Sequence, residues 1–197
     1  MNNLFDKLDE KKKIRIITSA IEEFSVNGYK NASTNIIVKK SGISKGSLFK
    51  YFKNKHSLYT FLVEYNNNKL IKYINDKYKK QQSWKNSILM YSKCEMEFLI
   101  QNPILISFYR QVIRDLKLEE FDKEAKDLLN ASLKYFNNIF NDYTISNELM
   151  LHISFIVKGY NEYFYSKYLE CNQDILFDIN EIYIKGLKKH LDMIGDE

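Results

Sequence analysis

The sequence predicts an all-α protein, and two observations support this. There are 6 glycines and 1 proline in 197 residues, too few for the turns that β-hairpins and sandwiches need. Apolar residues also recur three and four positions apart along most of the chain, which is the spacing of amphipathic helices. With 45% hydrophobic and 28% charged residues, the chain has the composition of a globular protein with one or two small domains.

Several simple patterns bear on where the protein resides. The first residues, Met-Asn-Asn-Leu-Phe-Asp-Lys, place no apolar stretch behind a basic head, as a secretory signal would. No uncharged apolar run approaches the length of a membrane span. Cys94 and Cys171 lie in helical patterns without CxxC spacing, so we expect reduced thiols. Together these patterns predict a cytoplasmic protein that does not contact a membrane.

The N-terminal part of the chain predicts a series of helices with polar caps. A first helix is expected from Asp9 to Val26, with Asn27-Gly28 as its stop. Its apolar positions are Ile14, Ile17, Ile21 and Phe24. Serine and asparagine side chains can cap helices by accepting a backbone N–H. Ser33 is the candidate cap of a short helix that ends at Ser41-Gly42. Ser44 is the candidate cap of a helix that runs to Phe52, and Asn54 is that of a long helix toward Tyr78.

The remainder of the chain predicts further long helices. Ser83 is a candidate cap for a helix from Trp84 to Ile100, and Asn102-Pro103 is a typical helix start because proline suits the first helical position. That helix should run to about Asp115. A helix from Glu119 to Asn141, carrying Leu129, Leu133 and Phe136, and two long helices at residues 146–169 and 174–194 follow.

The segment from Ser33 to Leu58 predicts a helix-turn-helix. Gly42 allows the positive φ of a sharp reversal, and Ile43 is expected to fill the interface between the two short helices. Leu48 and Phe52 share one face of the second helix, which leaves its other face exposed. The segment contains six lysines and no acidic residue; they are Lys39, Lys40, Lys45, Lys50, Lys53 and Lys55. A solvated face is the usual explanation of such a run, but its position at the turn favours a phosphate-facing surface.

The same segment resembles the signature of the TetR family of transcriptional regulators. The similarity rests on Gly28-Tyr29, Ser33-Thr34 and the uninterrupted run Ser41 to Lys55, SGISKGSLFKYFKNK, and it covers the first third of the chain. Phe49 departs from the tyrosine usual in the family and removes one hydroxyl, and Val38 and Ser41 stand where alanine is commoner. The resemblance implies an N-terminal three-helix DNA-binding domain and a C-terminal helical ligand-binding and dimerisation bundle.

The resemblance also implies which residues line the DNA. These are Thr34, Lys45, Gly46, Ser47, Phe49, Tyr51 and Lys55. The helix beginning at Lys45 would enter the major groove with its N-terminal end at the base edges, and Gly46 would let backbone approach closely. Tyr51 and Lys55 would contact the sugar-phosphate backbone. Thr34 and Ser47 could instead be plain helix-start residues, and Phe49 could belong to the core.

The implied division of the chain is residues 1–55 for DNA binding and 56–197 for ligand binding and dimerisation. Members of the family usually dimerise through their last two long helices, here at about 146–169 and 174–194. Those helices carry apolar rows that could serve the dimer, the domain's own core or both. The rows are Leu149, Ile153, Ile156, Tyr160 and Phe164, followed by Ile175, Ile179, Ile182 and Leu187.

An internal pocket for a small apolar inducer is a further implication of the resemblance. Pockets of this kind are mostly apolar with a few polar groups. The candidate lining residues are Trp84, Tyr91, Cys94, Phe108, Tyr109, Phe155 and Tyr163, although aromatic rows at helical spacing are more often core. Glu95 or Glu162 could meet a cationic ligand, or could simply be exposed.

The resulting prediction is a homodimeric regulator, not an enzyme, that represses transcription from a near-palindromic operator and is released by a small ligand. No cofactor and no metal is predicted. Control by a protein partner without an inducer stays open. A helical-bundle metalloenzyme is the alternative from another class, but it needs Glu-x-x-His pairs. None of His56, His152 and His190 has a glutamate three residues before it.

Overall fold

The computed structural model describes residues 3–121, 123, 124, 127, 135, 136, 139, 140, 142, 143, 145–170 and 176–194. Nine α-helices are bounded within these residues. They are α1 (Asn3–Asp6), α2 (Glu10–Asn31), α3 (Thr34–Ser41), α4 (Lys45–Tyr51), α5 (Lys55–Lys77), α6 (Trp84–Gln101), α7 (Ile104–Asp115), α8 (Asn147–Glu170) and α9 (Leu176–Asp192). The described residues contain no strand, and the all-α prediction is confirmed.

The chain forms two compact units. The first comprises Met1–Lys69 and Pro103–Ala125, and the second comprises Leu70–Asn102 and Lys126–Glu197. Both units are therefore built from two separate stretches of chain. The predicted division at residue 55 concerns which residues contact DNA and which bind ligand, and it stays a prediction.

Helix α2 is the central element of the first unit. Asp9 caps it by accepting the backbone N–H of Lys12 at 2.9 Å. Its inner face, with Ile16, Ala20 and Phe24 all fully buried, packs against α3 and α7. Fully burying a side chain such as that of Ile16 or Phe24 contributes about 1.5–3 kcal/mol, so this face stabilises the unit.

Two details of α2 differ from the sequence prediction. Ile14 is exposed, because the buried face runs through Ile16 and Ile17. Gly28 does not end the helix but breaks its regularity, with φ 66° and ψ 175°, and one further turn continues to Asn31. Glycine adopts this conformation without steric cost, which is why the chain can kink there.

Three of the predicted helix caps are confirmed by hydrogen bonds. Ser44 Oγ accepts from Ser47 N–H, Asn54 Oδ1 from Ser57 N–H and Ser83 Oγ from Asn86 N–H. Two other predictions were wrong. The Ser33 side chain makes no capping bond, and Asn102 donates backward from its amide to Phe98 O at the end of α6.

In the second unit, α9 packs against both α6 and α8. Ile88 and Met96 of α6, Ile153 and Phe164 of α8 and Leu187 of α9 are fully buried there. Gly186 lies so close to Tyr160 that a Cβ would stand 2.9 Å from its ring, so the small residue permits the close approach of α8 and α9.

Several predicted features fall wholly or partly outside the described residues. Leu129, Leu133, Cys171 and Ile175 lie outside them, as does much of the helix expected at 119–141. That helix does not begin at Glu119, because Glu119–Phe121 forms a 3₁₀ turn. Cys94 is buried and carries a free thiol, as expected. Among the described helices, none has the length and apolarity that crossing a bilayer requires.

Candidate nucleic-acid interface

The turn between α3 and α4 has the geometry of a helix-turn-helix. Gly42 adopts φ 68° and ψ 36°, the left-handed conformation expected of a residue that ends a helix. The N–H groups of Gly42 and Ile43 both bond to Val38 O, which closes α3 and redirects the chain. Ile43 is only half-buried, whereas Ile37 of α3 is fully buried.

The orientation of α4 is fixed by its cap and its buried face. Ser44 begins the helix, and Leu48 and Phe52 are buried one turn apart. Because side chains four residues apart share one face, Lys45 and Gly46 at the N-terminal end point away from the interior and are exposed. The helix therefore presents its amino end and a lysine to solvent.

The other predicted interface residues are partly covered. Thr34, Ser47, Phe49 and Tyr51 are half-buried. The hydroxyl of Ser47 lies 2.9 Å from that of Ser44, and the Tyr51 ring packs edge-on against Phe5 at 6.0 Å between ring centroids. The structure thus places Lys45, Gly46 and Ser47 together at one end of α4, and Tyr51 at its other end.

Lys55 has partners within the protein. Its ammonium group donates to Lys30 O at 3.0 Å and to Ala32 O at 3.3 Å, and it lies 4.8 Å from the centre of the Tyr29 ring. These contacts attach the start of α5 to the segment between α2 and α3. Sequence reasoning missed this structural role, because nothing in the pattern indicates which carbonyl oxygens would lie beside the amine.

Glu23 is a second residue that sequence reasoning missed. It is buried in α2, and one of its carboxylate oxygens accepts from the Ser33 backbone N–H at 2.9 Å and from the Asn27 amide at 3.0 Å. Glu23 thereby satisfies the backbone N–H of Ser33, directly before α3. An acidic residue inside the apolar row of α2 was the available signal.

The surface around α4 is basic. Lys39, Lys45, Lys50 and Lys53 are all exposed, while Lys40 pairs with Glu22 at 3.0 Å. Residues 33–58 contribute no acidic side chain. An exposed cluster of one sign attracts polyanions and is the electrostatic footprint typical of a DNA-binding face.

Helix α7 packs against α2 and carries a buried hydrogen-bond acceptor. Asp115, which is buried, accepts hydrogen bonds from the Tyr29 N–H at 2.9 Å, the Tyr59 hydroxyl at 2.8 Å and the Gln111 amide at 3.0 Å. Burial, followed by the bond to Asp115, raises the pKa of Tyr59 far above its ordinary value of 10.0. This hydroxyl therefore stays protonated and remains a donor.

The predicted ligand-lining residues divide between the two units. Phe108 and Tyr109 belong to the first unit, and the other five belong to the second. Trp84 and Cys94 are buried and Tyr91 is half-buried, whereas Phe155 is 61% exposed and Tyr163 is 49% exposed. In the described parts of the chain, no three His, Cys, Asp or Glu side chains are grouped as metal ligands would be.

Three sequence matches relate this chain to known proteins. Residues 16–60 match the family described as bacterial regulatory proteins, tetR family. The chain is 24% identical over 128 residues to the fatty acid metabolism regulator protein of Bacillus subtilis (strain 168), covering 65% of this chain and 63% of that protein. It is 37% identical over 49 residues to the HTH-type transcriptional regulator YdgC of the same organism, covering 25% of each. The chain thus spans less than two thirds of the length of either curated relative.

Solved structures show the same fold at low sequence identity. A transcriptional regulator FadR from Bacillus subtilis, in complex with stearoyl-CoA, superposes with a TM-score of 0.67 and 16% identity over 88% of this chain and 98% of that one. A TetR-like transcriptional regulator from Rhodococcus sp. RHA1 superposes with a TM-score of 0.69 and 14% identity, over 95% of this chain and 100% of that one. A transcriptional regulator from Aquifex aeolicus VF5 superposes with a TM-score of 0.70 and 21% identity, over 91% of this chain and 99% of that one.

Proposed function

We propose that the chain is a transcriptional regulator of the TetR family, a homodimeric repressor released by a small ligand, because residues 16–60 match that family of bacterial regulatory proteins. Its DNA target is a near-palindromic operator, since two-fold protein symmetry requires related half-sites. The two recognition helices would then lie about 34–36 Å apart, one turn of DNA. The protein would act in the cytoplasm, where bacterial operators lie.

The observation that carries the proposal is the presentation of α4. Leu48 is fully buried while Lys45 and Gly46 at the amino end are exposed, within a surface that carries lysines and no acids. A recognition helix meets base edges with its N-terminal residues, so this orientation supports a role in reading the major groove.

We assign distinct roles to the interface residues. Lys45 and Ser47 contact base edges, and Gly46 allows close approach of the backbone. Thr34, Phe49 and Tyr51 line the duplex, and Lys55 contributes to phosphate contacts while it holds the start of α5. Residues 1–55 form the DNA-binding domain in this proposal, and residues 56–197 bind ligand and dimerise.

Exposed apolar side chains on α8 and α9 support the dimer. Leu151, Phe155 and Tyr163 are exposed at four- and eight-residue spacing on α8, with Gly159 between them in open space. On α9, Ile182 is 58% exposed. A contiguous apolar patch on a soluble domain marks an interaction surface, and a two-fold axis lets the same patch meet its own copy.

A ligand with an apolar body is supported by the FadR structure, which holds stearoyl-CoA. In our proposal the ligand binds the 56–197 domain and favours a conformation with a different separation of the two DNA-binding domains. It can weaken operator affinity only by its differential affinity for that conformation. Control by a protein partner is the alternative, and no observation on the structure favours it.

The proposal is tested by selecting DNA fragments from a random pool with the purified protein and measuring the salt dependence of binding. We expect a palindromic consensus and a steep loss of affinity with salt, since each neutralised phosphate contributes about −0.9 to the logarithmic slope. Lys45→Ala and Ser47→Ala should change sequence preference, whereas Lys55→Ala should weaken all sequences equally and flatten the slope.

Two controls make this test specific. Lys93→Ala removes the same charge from an exposed position of α6 and should leave binding unchanged. Melting temperatures of the Lys55→Ala variant separate a lost phosphate contact from the loss of its bonds to Lys30 O and Ala32 O. Failure to bind any DNA at low salt would refute the proposal.

A further inference from the structure

A polar cluster lies inside the second unit, where the surrounding side chains are mostly apolar. Its members come from three helices: Tyr91 and Glu95 of α6, Asn161 of α8 and Tyr183 of α9. Tyr91 and Glu95 are one turn apart and therefore share a face of α6. The Tyr91 ring packs edge-on against Phe136 and Phe140, at 5.6 and 6.4 Å between centroids.

Hydrogen bonds fix the orientation of Asn161. The Tyr183 hydroxyl donates to Asn161 Oδ1 at 2.6 Å, and Asn161 Nδ2 donates to Glu95 Oε2 at 3.1 Å. Because the amide has only one acceptor atom and Tyr183 occupies it, the amide NH₂ must face Glu95. Glu95 is thus placed as an acceptor, the role that a carboxylate fills best.

The cluster is incomplete. Among the described residues, Glu95 Oε1 and the Tyr91 hydroxyl have no hydrogen-bond partner, and no lysine or arginine pairs with Glu95. Burial raises the pKa of Glu95 to about 7, and the Asn161 bond lowers it only in part. A carboxylate enclosed by protein without a cation is costly unless something else neutralises it.

Glu95 and Tyr91 also keep some accessible surface. Both side chains are half-buried, although surrounding protein atoms raise the pKa of each through desolvation. Each group is therefore largely surrounded by protein atoms and still reachable from solvent. By contrast, Tyr183 is 1% exposed.

From this arrangement we infer that Glu95 and Tyr91 form the polar end of the effector site and bind the ammonium group of an amphiphilic amine. Glu95 Oε1 accepts an N–H of the ammonium, Tyr91 offers its hydroxyl oxygen, and the aromatic side chains beside Tyr91 receive the apolar body. Charge-assisted bonds of this kind are among the strongest in proteins. The inference rests on the proposed function, because it names the ligand class of the regulator's own effector domain.

The inference is tested by titrating the full-length protein with n-decylamine, n-decanol and n-decanoate below their micelle concentrations, using calorimetry. We expect n-decylamine to bind most tightly and n-decanoate most weakly, since a carboxylate would face Glu95. Glu95→Gln should weaken n-decylamine binding at least roughly tenfold, because bonds to charged groups contribute more than neutral ones, and should leave n-decanol unchanged.

Matched controls distinguish the loss of an ammonium contact from a general loss of structure. Glu97→Gln makes the same change two residues further along α6, about 200° around the helix, and should not affect n-decylamine binding. Tyr91→Phe keeps the ring and removes the hydroxyl, and it should weaken the amine alone. Melting curves of each variant report folding.

Three outcomes would overturn the inference: tighter binding of n-decanoate than of n-decylamine, no binding of n-decylamine, or equal amine binding by the wild type and Glu95→Gln. Each of these would leave the proposed function intact if the protein still selects an operator. Conversely, a protein that binds no DNA but binds n-decylamine through Glu95 would refute the proposed function and support the amine site.

Discussion

Asp115, at the last turn of α7, accepts a 2.9 Å hydrogen bond from the backbone N–H of Tyr29, which lies 86 residues earlier and directly after the kink in α2. The same carboxylate oxygen accepts the Tyr59 hydroxyl of α5. One buried side chain thus joins three helices of the first unit. Because α3 follows immediately after this point of α2, Asp115 helps to define where the helix-turn-helix begins.

Replacing Asp115 should therefore be among the more destabilising changes in the first unit. Asp115→Ala leaves a buried hydroxyl, an amide and a backbone N–H without their acceptor, and each unsatisfied group costs about 1–3 kcal/mol. Tyr59→Phe removes only one donor and should cost about 1 kcal/mol. Urea unfolding followed by circular dichroism measures both. A larger loss for Tyr59→Phe than for Asp115→Ala would contradict the role given to Asp115.

Gly28 should be the least replaceable glycine in the first unit. Gly28→Ala places a side chain at φ 66° and ψ 175° and sets its Cβ 2.5 Å from Gln111 Nε2, which we expect to cost about 2–3 kcal/mol. Gly42→Ala is the matched control, because its left-handed φ of 68° costs about 1–2 kcal/mol and its Cβ would meet nothing within 4 Å. Thermal unfolding shows which of the two variants is less stable. Equal losses of stability would show that the contact with Gln111 has no effect.

Local features of this chain could be predicted from the sequence, whereas contacts between distant segments could not. The caps at Ser44 and Asn54 and the burial of Leu48 and Phe52 follow from residue type and spacing over a few positions. The bonds of Asp115 depend on which segments meet in three dimensions, and no short-range pattern encodes that.

The same distinction explains which contacts of the candidate site could not be predicted. Ser33 has the residue type of a cap, but its side chain makes no capping bond, and the carboxylate of Glu23, ten residues earlier, accepts the backbone N–H of Ser33. Lys55 reads as a surface lysine, yet two carbonyl oxygens lie within its reach. In both cases the contact joins segments that are far apart in the sequence, so spacing over a few residues does not predict it.

Ser44 and Ser33 provide a direct comparison of a serine that caps a helix with one that does not. Ser44→Ala removes the acceptor of Ser47 N–H and should destabilise α4 by about 1 kcal/mol, with weaker operator binding. Ser33→Ala should change stability by less than about 0.5 kcal/mol, since its hydroxyl makes no capping bond. Chemical denaturation together with operator titration tests the pair, and a similar loss for both would show that the cap geometry is misassigned.

The apolar surface of α8 should control assembly. Phe155→Lys introduces a charge at an exposed side chain that we expect to be buried between two copies, so the dimer should dissociate into folded monomers with much weaker operator binding. Ile113→Lys makes the same change at a similarly exposed isoleucine of α7 and should leave the dimer intact. Sedimentation velocity distinguishes the species. A dimeric Phe155→Lys protein would place the interface elsewhere.

The stability of the protein should fall between pH 5 and pH 8 because of Glu95. Its pKa is about 7 in the folded protein against an ordinary 4.5, so protonated Glu95 favours the folded state. The stability that protonation contributes is fully present below pH 4.5 and is lost as the pH rises through 7, with a total on the order of 3 kcal/mol. The titratable groups facing Glu95 are Tyr91 and Tyr183, and both stay neutral in this range because their pKa values are raised above 10.0.

Urea unfolding at pH 5 and pH 8 measures this difference, and Glu95→Gln isolates it. The glutamine variant cannot ionise, so its stability should change less between the two pH values, while Glu97→Gln should behave like the wild type. At pH 8, saturating n-decylamine should raise the stability of the wild-type protein toward its value at pH 5. A bound ammonium favours the ionised carboxylate, and ligand binding stabilises the folded state. An identical pH dependence for the wild type and Glu95→Gln would mean that solvent hydrates Glu95 freely, and the amine site would then not stand.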